Sequence, residues 1–139
     1  MLKQGLLHPE ILWSLAAAGH GAKILIADGN FPVSTVTNER CKKIYLNLSP
    51  DLLKVTDVLK VIKEQIAIEK AFIMEPPDGS RPAIHTEFET IIGSPIKWEL
   101  KKRIEFYREV SLPDTALVIA TGDTRRFGNI ILVMGTVFP

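Results

Sequence analysis

Proton chemistry near neutral pH calls for histidine, and one of the three histidines in the chain stands in an unusual setting. His20 lies between Gly19 and Gly21, where no neighbouring side chain shields the imidazole and the backbone is free to turn. Such a group can meet a ligand and act as acid or base, although an exposed loop histidine is the plainer reading. Asp28 follows the apolar run Lys23 to Ala27, so it falls just past the carboxyl end of a strand, where open α/β sheets bind ligands. It is equally suited to capping the turn through Gly29 and Asn30. The segment Thr121 to Asn129 crowds hydrogen-bonding side chains between two apolar runs. A solvated hairpin loop explains most of it, but not why Asn129 opens an apolar strand.

Familiar cofactor motifs are missing. Gly19-His20-Gly21 lacks a third glycine and follows a helical stretch, whereas a dinucleotide fingerprint sits between a strand and a helix. Neither a phosphate-wrapping Gly-x-x-x-x-Gly-Lys-Ser/Thr loop nor a Gly-x-Ser-x-Gly elbow occurs. His8, His20 and His85 are far apart, with no i, i+4 pair, so no metal is expected.

The elements that must position these residues follow from hydrophobic periodicity and turn formers. Leu7, Ile11, Leu12, Leu15 and Ala16 recur at helical spacing within His8 to Ala18, before Gly19. The patterns predict strands over Lys23 to Ala27 and Lys43 to Leu48, a long helix from Asp51 through Glu69, and a strand over Ala71 to Met74. After the loop Glu75 to Gly79 they predict a helix over Pro82 to Ile92, a strand over Ile96 to Leu100 and a helix over Arg103 to Val110. Two continuous apolar strands, Thr115 to Ala120 and Asn129 to Met134, close the chain. Trp13 and Trp98 read as core or subunit contact. Alternating short strands and amphipathic helices predict a three-layer α/β/α fold around a mostly parallel sheet.

One domain spanning 1–139 is expected from a chain of 139 residues with 46% hydrophobic and 24% charged residues. A net charge of +1 with scattered basic residues argues against nucleic acid or an anionic membrane as partner. No apolar run approaches a membrane span, the single Cys41 cannot close an intramolecular disulfide, and the N-terminus lacks signal-peptide character. The cytoplasm is the expected location.

Taken together, GHGAKILIADGNFP near the start and TGDTRRFGNIILVMGTVFP at the end resemble the L-fucose mutarotase and D-ribose pyranase family. The likeness runs the whole length, with its specificity in the two end motifs. It implies a cofactor-free enzyme, a ring-shaped decamer with sites near subunit contacts, that interconverts anomers or ring sizes of a free monosaccharide. By position, the resemblance makes His20 the catalytic histidine, Asp28 a sugar-binding aspartate and Asn129 the asparagine of a Tyr-x-Asn motif, with Gly128 in the middle place as in the fucose branch. Arg103, four residues before Tyr107, resembles a sugar-binding arginine of that branch and favours fucose-like sugars. Phe127 stands where the motif has tyrosine, offering a ring to a sugar face but no hydroxyl.

Under this reading, His20 moves protons while Asp28, Arg103 and Asn129 hold sugar hydroxyls. The eight residues between His20 and Asp28 reach roughly 26 Å when extended, too far for one sugar to bridge. Either the glycine turn folds back or two subunits share a site, and the second is preferred. Two rivals are a non-catalytic monosaccharide-binding protein linked to sugar transport or use, and a phosphosugar isomerase using Arg125, Arg126 and Lys23 on a phosphate.

Overall fold

The computed structural model describes all residues, 1–139. Its elements are α1 (Pro9–Ala17), β1 (Lys23–Ala27), α2 (Val33–Val36), β2 (Lys42–Tyr45), α3 (Val55–Ile62), β3 (Ile68–Met74), α4 (Ala83–Ile92), β4 (Lys97–Lys101), α5 (Arg103–Ser111), β5 (Thr115–Ala120) and β6 (Ile130–Met134). The six strands form one sheet in the order β2-β5-β1-β6-β3-β4. β5 is parallel to both β2 and β1, β3 is parallel to β4, and β6 is antiparallel to its neighbours β1 and β3. Five strands therefore run one way and β6 the other. No helix is long and apolar enough to cross a membrane.

The apolar runs of the central strands lack polar alternation because both sheet faces are covered. On one face Ile24, Ile26, Ile73, Leu117, Ile119, Ile130 and Leu132 pack with Ile11 and Leu15 of α1, Val55, Leu59 and Ile62 of α3 and Phe88 of α4. Their neighbours one residue on, Leu25, Ala27, Phe72, Val118, Ile131 and Val133, meet Val33 of α2 and Phe106 and Val110 of α5 on the other. Burying each such side chain contributes about 1.5–3 kcal/mol. The result is the expected three-layer α/β/α arrangement.

Three expectations are corrected. The segment Thr121–Asn129 is no hairpin, since β5 and β6 do not pair; β1 lies between them, so the loop crosses its carboxyl end. The long helix is shorter than its amphipathic pattern. Asp51 adopts φ 61°, its N–H donates to the Gly122 carbonyl at 2.6 Å, and Leu52 pairs back to Leu48 and Ser49, so helix begins only at Val55. Pairing of Ile68 with Met134 turns the predicted last turn into strand. Trp13 is 68% exposed and so is outside the core, whereas Trp98 packs against it.

The crossing loop and the Leu48–Leu53 turn touch through Gly122. A Cβ there would overlap the Ser49 carbonyl oxygen and lie 3.2 Å from the Leu52 backbone nitrogen and oxygen. Gly122→Ala is expected to destabilise the protein by about 1–3 kcal/mol, as overpacking against backbone does, and thermal melting followed by circular dichroism measures it.

Candidate functional site: a polar pocket at the carboxyl end of the sheet

Asp28 enters the site because β1 ends at Ala27, and Asn129 because β6 starts at Ile130 in the opposite direction on the neighbouring position. An antiparallel neighbour thus places residues 101 apart in sequence side by side. The Asp28 N–H donates to Asn129 Oδ1 at 2.8 Å, and Asn129 Nδ2 donates to Asp28 Oδ2 at 2.9 Å. The Gly128 N–H also donates to Oδ2, at 3.2 Å, and the Asn30 N–H to Oδ1, at 2.9 Å. A Cβ on residue 128 would fall 2.9 Å from the Arg125 carbonyl oxygen and 3.1 Å from Ile84, so glycine is required for this close approach. Asp28 is therefore both the turn former and a site carboxylate.

Asp28 and Asn129 are each 3% exposed. Burial pushes the Asp28 carboxyl above its ordinary value, opposed by the N–H groups of Asn30, Gly128 and Asn129 and reinforced by the negative charge of Asp123. A carboxylate offers about four acceptor positions and three are taken, which leaves one for a ligand hydroxyl. Asn129 retains one free N–H and one free lone pair on the same terms.

The cavity above this pair measures about 320 Å³ and is lined by Asp28, Asn30, Phe31, Met74, Arg103, Tyr107, Arg126, Phe127 and Asn129. Of the sequence-derived site residues, Asp28, Arg103, Phe127 and Asn129 converge here. Gly128 is absent from the lining and acts through Asp28. Phe127 sits in the left-handed region at φ 59°, and its carbonyl accepts from His85 Nε2 at 3.1 Å. His85 is 1% exposed, and burial holds its imidazole below the usual value, so the ring is a neutral donor fastening the loop.

Sequence reasoning missed Asn30, Phe31, Met74 and Tyr107 as lining residues of one cavity, and offered Arg126 only in the phosphosugar alternative. Tyr107 was detectable, since i, i+4 spacing puts it on the helix face of Arg103. Phe31 packs edge-on against its ring, with centroids 5.3 Å apart. Met74 carried no signal, because it ends an apolar strand like any core residue.

His20 is elsewhere. It precedes β1 at the sheet's other end, where the Gly21 N–H donates to the Met134 carbonyl and His20 Nε2 lies 3.0 Å from Glu69 Oε2. The glycine turn does not fold back toward Asp28, and the His20 side chain is 59% exposed. The triad invoked for a phosphosugar also separates. Lys23 is buried between Glu109 (2.5 Å) and Asp114 (2.9 Å), and Arg125 is taken up by Asp123, Glu87 and Thr56.

A parallel-rich α/β sandwich with a small polar cavity at its strands' carboxyl ends defines a small-molecule-binding class of protein. Within it, the chain belongs to the RbsD / FucU transport protein family, which it matches over residues 1–137. It is 32% identical to fucose mutarotase from Homo sapiens, over 94% of this chain and 89% of that one. To D-ribose pyranase from Bacillus cytotoxicus it is 33% identical, over 99% and 100%. The fold superposes on Bacillus subtilis RbsD complexed with D-ribose with a TM-score of 0.85 at 30% identity, covering 99% of this chain and 100% of that one. The Streptococcus pneumoniae fucose mutarotase in complex with L-fucose gives a TM-score of 0.81 at 25% identity, covering 94% of each chain.

Proposed function

We propose that this protein is a cofactor-free mutarotase acting on a free monosaccharide, fucose-like in kind, in a site completed by His20 of a second copy. The observation that carries the reading is the convergence of Asp28, Arg103, Phe127 and Asn129 on one cavity at the carboxyl end of the sheet, while His20 lies at the other end of β1. Relatives named fucose mutarotase and D-ribose pyranase support the reaction class.

Ring opening needs a base to take the anomeric hydroxyl proton and an acid to protonate the ring oxygen as the bond between it and the anomeric carbon breaks. The resulting aldehyde rotates about its bond to C2 and closes on the other face, with both protons returned. The sum is proton-neutral, and one imidazole with water suffices. Glu69 Oε2 beside His20 Nε2 favours the tautomer with the proton on Nε2, leaving the Nδ1 lone pair to act as base. Asp28 and Asn129 hold hydroxyls through their remaining positions, and the Phe127 ring covers an apolar sugar face. A site divided between copies makes assembly, ring-shaped and decameric by family resemblance, a condition of activity.

The alternative is a sugar-binding protein without turnover, favoured by one observation: Phe127 brings no hydroxyl to the cavity. Exchange NMR on the anomeric protons of L-fucose and D-ribose tests both. Accelerated exchange is the expected result; sugar-induced shifts without acceleration would leave the binding protein, and no effect of either sugar would remove both readings.

A further inference from the structure

We propose that a second ligand site, between α4 and the ends of β3 and β4, takes a small organic ammonium, and that His85 connects it to Asp28. β3 alternates at its carboxyl end: Met74 lines the sugar cavity, while Ile73 and Glu75 line a separate hollow of about 240 Å³ with Arg81, His85, Glu89 and Trp98. His85 is 1% exposed, yet only one of its two ring nitrogens has a hydrogen-bond partner. That partner is the Phe127 carbonyl, so Nε2 bears the proton and Nδ1 of the neutral ring is a bare acceptor. Thr115 Oγ1 is the one fully enclosed side-chain polar atom without a partner, so Nδ1 is not sealed in, and the hollow is the open space that the ring borders. A lone pair held there costs stability until something donates to it.

The other free groups of the lining point to a donor with positive charge. Glu75 is half-buried, and its carboxylate has neither an ion pair nor a hydrogen bond within the chain. Arg81 is paired with Glu89, and the Ser80 side chain is bonded to Asp78, so these donors are taken. The lining carries one net negative charge (two carboxylates less one guanidinium), which disfavours an anion. No three His, Cys, Asp or Glu side chains come close enough together to hold a metal ion, so the cation that fits is organic. An ammonium supplies N–H donors for Nδ1 and for the Glu75 carboxylate, and its hydrocarbon body meets Ile73, Leu100 and the Trp98 ring. From His85 Nε2 the bonds continue to the Phe127 carbonyl, and the N–H of the same peptide group, that of Gly128, donates to Asp28 Oδ2 at 3.2 Å. A donor on Nδ1 makes Nε2–H a stronger donor, and each bond polarises the next, so the ligand is felt at Asp28 without entering the sugar cavity. The site stands on its own residues; only the meaning of its connection rests on the sugar reading.

Three probes alike in ring and different in charge test this: cyclohexylammonium, cyclohexanol and cyclohexanecarboxylate, titrated by nitrogen-edited NMR against the intact protein at neutral pH and low salt. The ammonium is expected to bind about tenfold or more tighter than either of the others, with the preference shrinking as salt rises. The Trp98 indole N–H and His85 Nδ1 resonances should move, the latter upfield as a bare lone pair gains a donor, and the Gly128 amide should follow. Glu75→Gln should weaken ammonium binding about tenfold and leave the melting curve unchanged, since the Glu75 carboxylate has no bond to lose. No ammonium binding, cyclohexanol bound as tightly, affinity untouched by Glu75→Gln, or shifts confined to other surfaces would each overturn the site. A Gly128 amide that stays still while Trp98 and His85 respond would overturn the connection to Asp28. None of these results bears on the mutarotase reading, which anomeric exchange tests separately.

Discussion

Neither His20→Ala nor Asp28→Ala should accelerate anomeric exchange, yet co-refolded mixtures of the two chains should recover activity. His20 loss removes the proposed acid/base, a contribution of about 10²–10⁴-fold in rate. The residue is exposed and its one side-chain hydrogen bond is a surface pair with Glu69, so melting should barely move. Asp28 loss removes the acceptor at the floor of the cavity and leaves the Asn30 and Gly128 N–H groups and the Asn129 amide without it. If each site takes His20 from one copy and Asp28 from another, random mixing restores roughly one site in four, the statistical share for a symmetric shared interface. Exchange NMR on the mixed oligomer reads this directly. Recovery sinks any single-copy site, and its absence in a correctly assembled mixture sinks the shared one.

The largest stability effect is expected at Asp123, 0% exposed and unassigned by any reading of the site. Its Oδ1 accepts from the Arg125 N–H at 3.0 Å and Nε at 2.9 Å, and its Oδ2 accepts from Arg125 Nη2 at 2.7 Å and the Val55 N–H at 3.0 Å. The last bond caps the first turn of α3 from a loop 68 residues away. Asp123→Ala leaves the buried Val55 N–H without its acceptor and takes one of two carboxylate partners from the Arg125 guanidinium, which keeps Glu87 and Thr56, a loss of about 3 kcal/mol. For a chain of this size that is a fall in melting temperature of about 10 °C or more by calorimetry. The effect should depend on pH. Burial alone would raise the Asp123 carboxyl, but the hydrogen bonds of Arg125 and Val55 prevail and its folded value is lowered. A depressed folded value means that the stabilisation is complete above the unfolded value near 3.8 and disappears as pH falls through the folded one. The difference between wild type and variant should therefore be flat near neutrality and close below about pH 4. Asp28 has the opposite sign: its raised folded value means that its carboxylate costs stability as pH rises from the unfolded value near 3.8 through the folded one, so the wild-type profile carries opposed slopes on the two sides of that value.

The two acids show where sequence reading succeeds and where it stops. Asp28 was legible because a strand followed by a polar turn marks a known ligand position, and Asn129 because an amide at the start of an apolar strand asks for a partner. Asp123 was hidden, since its partner Val55 lies far away in sequence and only contact reveals a capping role. The helix over Asp51 to Glu69 was overcalled for the same reason. Its amphipathic pattern is real, but the bonds from Asp51 to Gly122 and Thr124, and strand pairing at Ile68, outweigh local preference at both ends.

Taken alone, the amino-acid order determined the element types apart from the short α2, the three layers and the family, because periodicity, glycine punctuation and the two end motifs are local signals. It also showed that an extended chain would hold His20 and Asp28 too far apart for one sugar, leaving a folded-back glycine turn or a site shared by two subunits. Only the tertiary structure decided that β1 separates β5 from β6, so that the Thr121–Asn129 segment crosses the strand end that carries Asp28. The same crossing divided Arg125 from Arg126, one turned into an ion-pair network and the other left on the cavity. Strand order and side-chain direction depend on contacts across tens of residues, which no local pattern encodes.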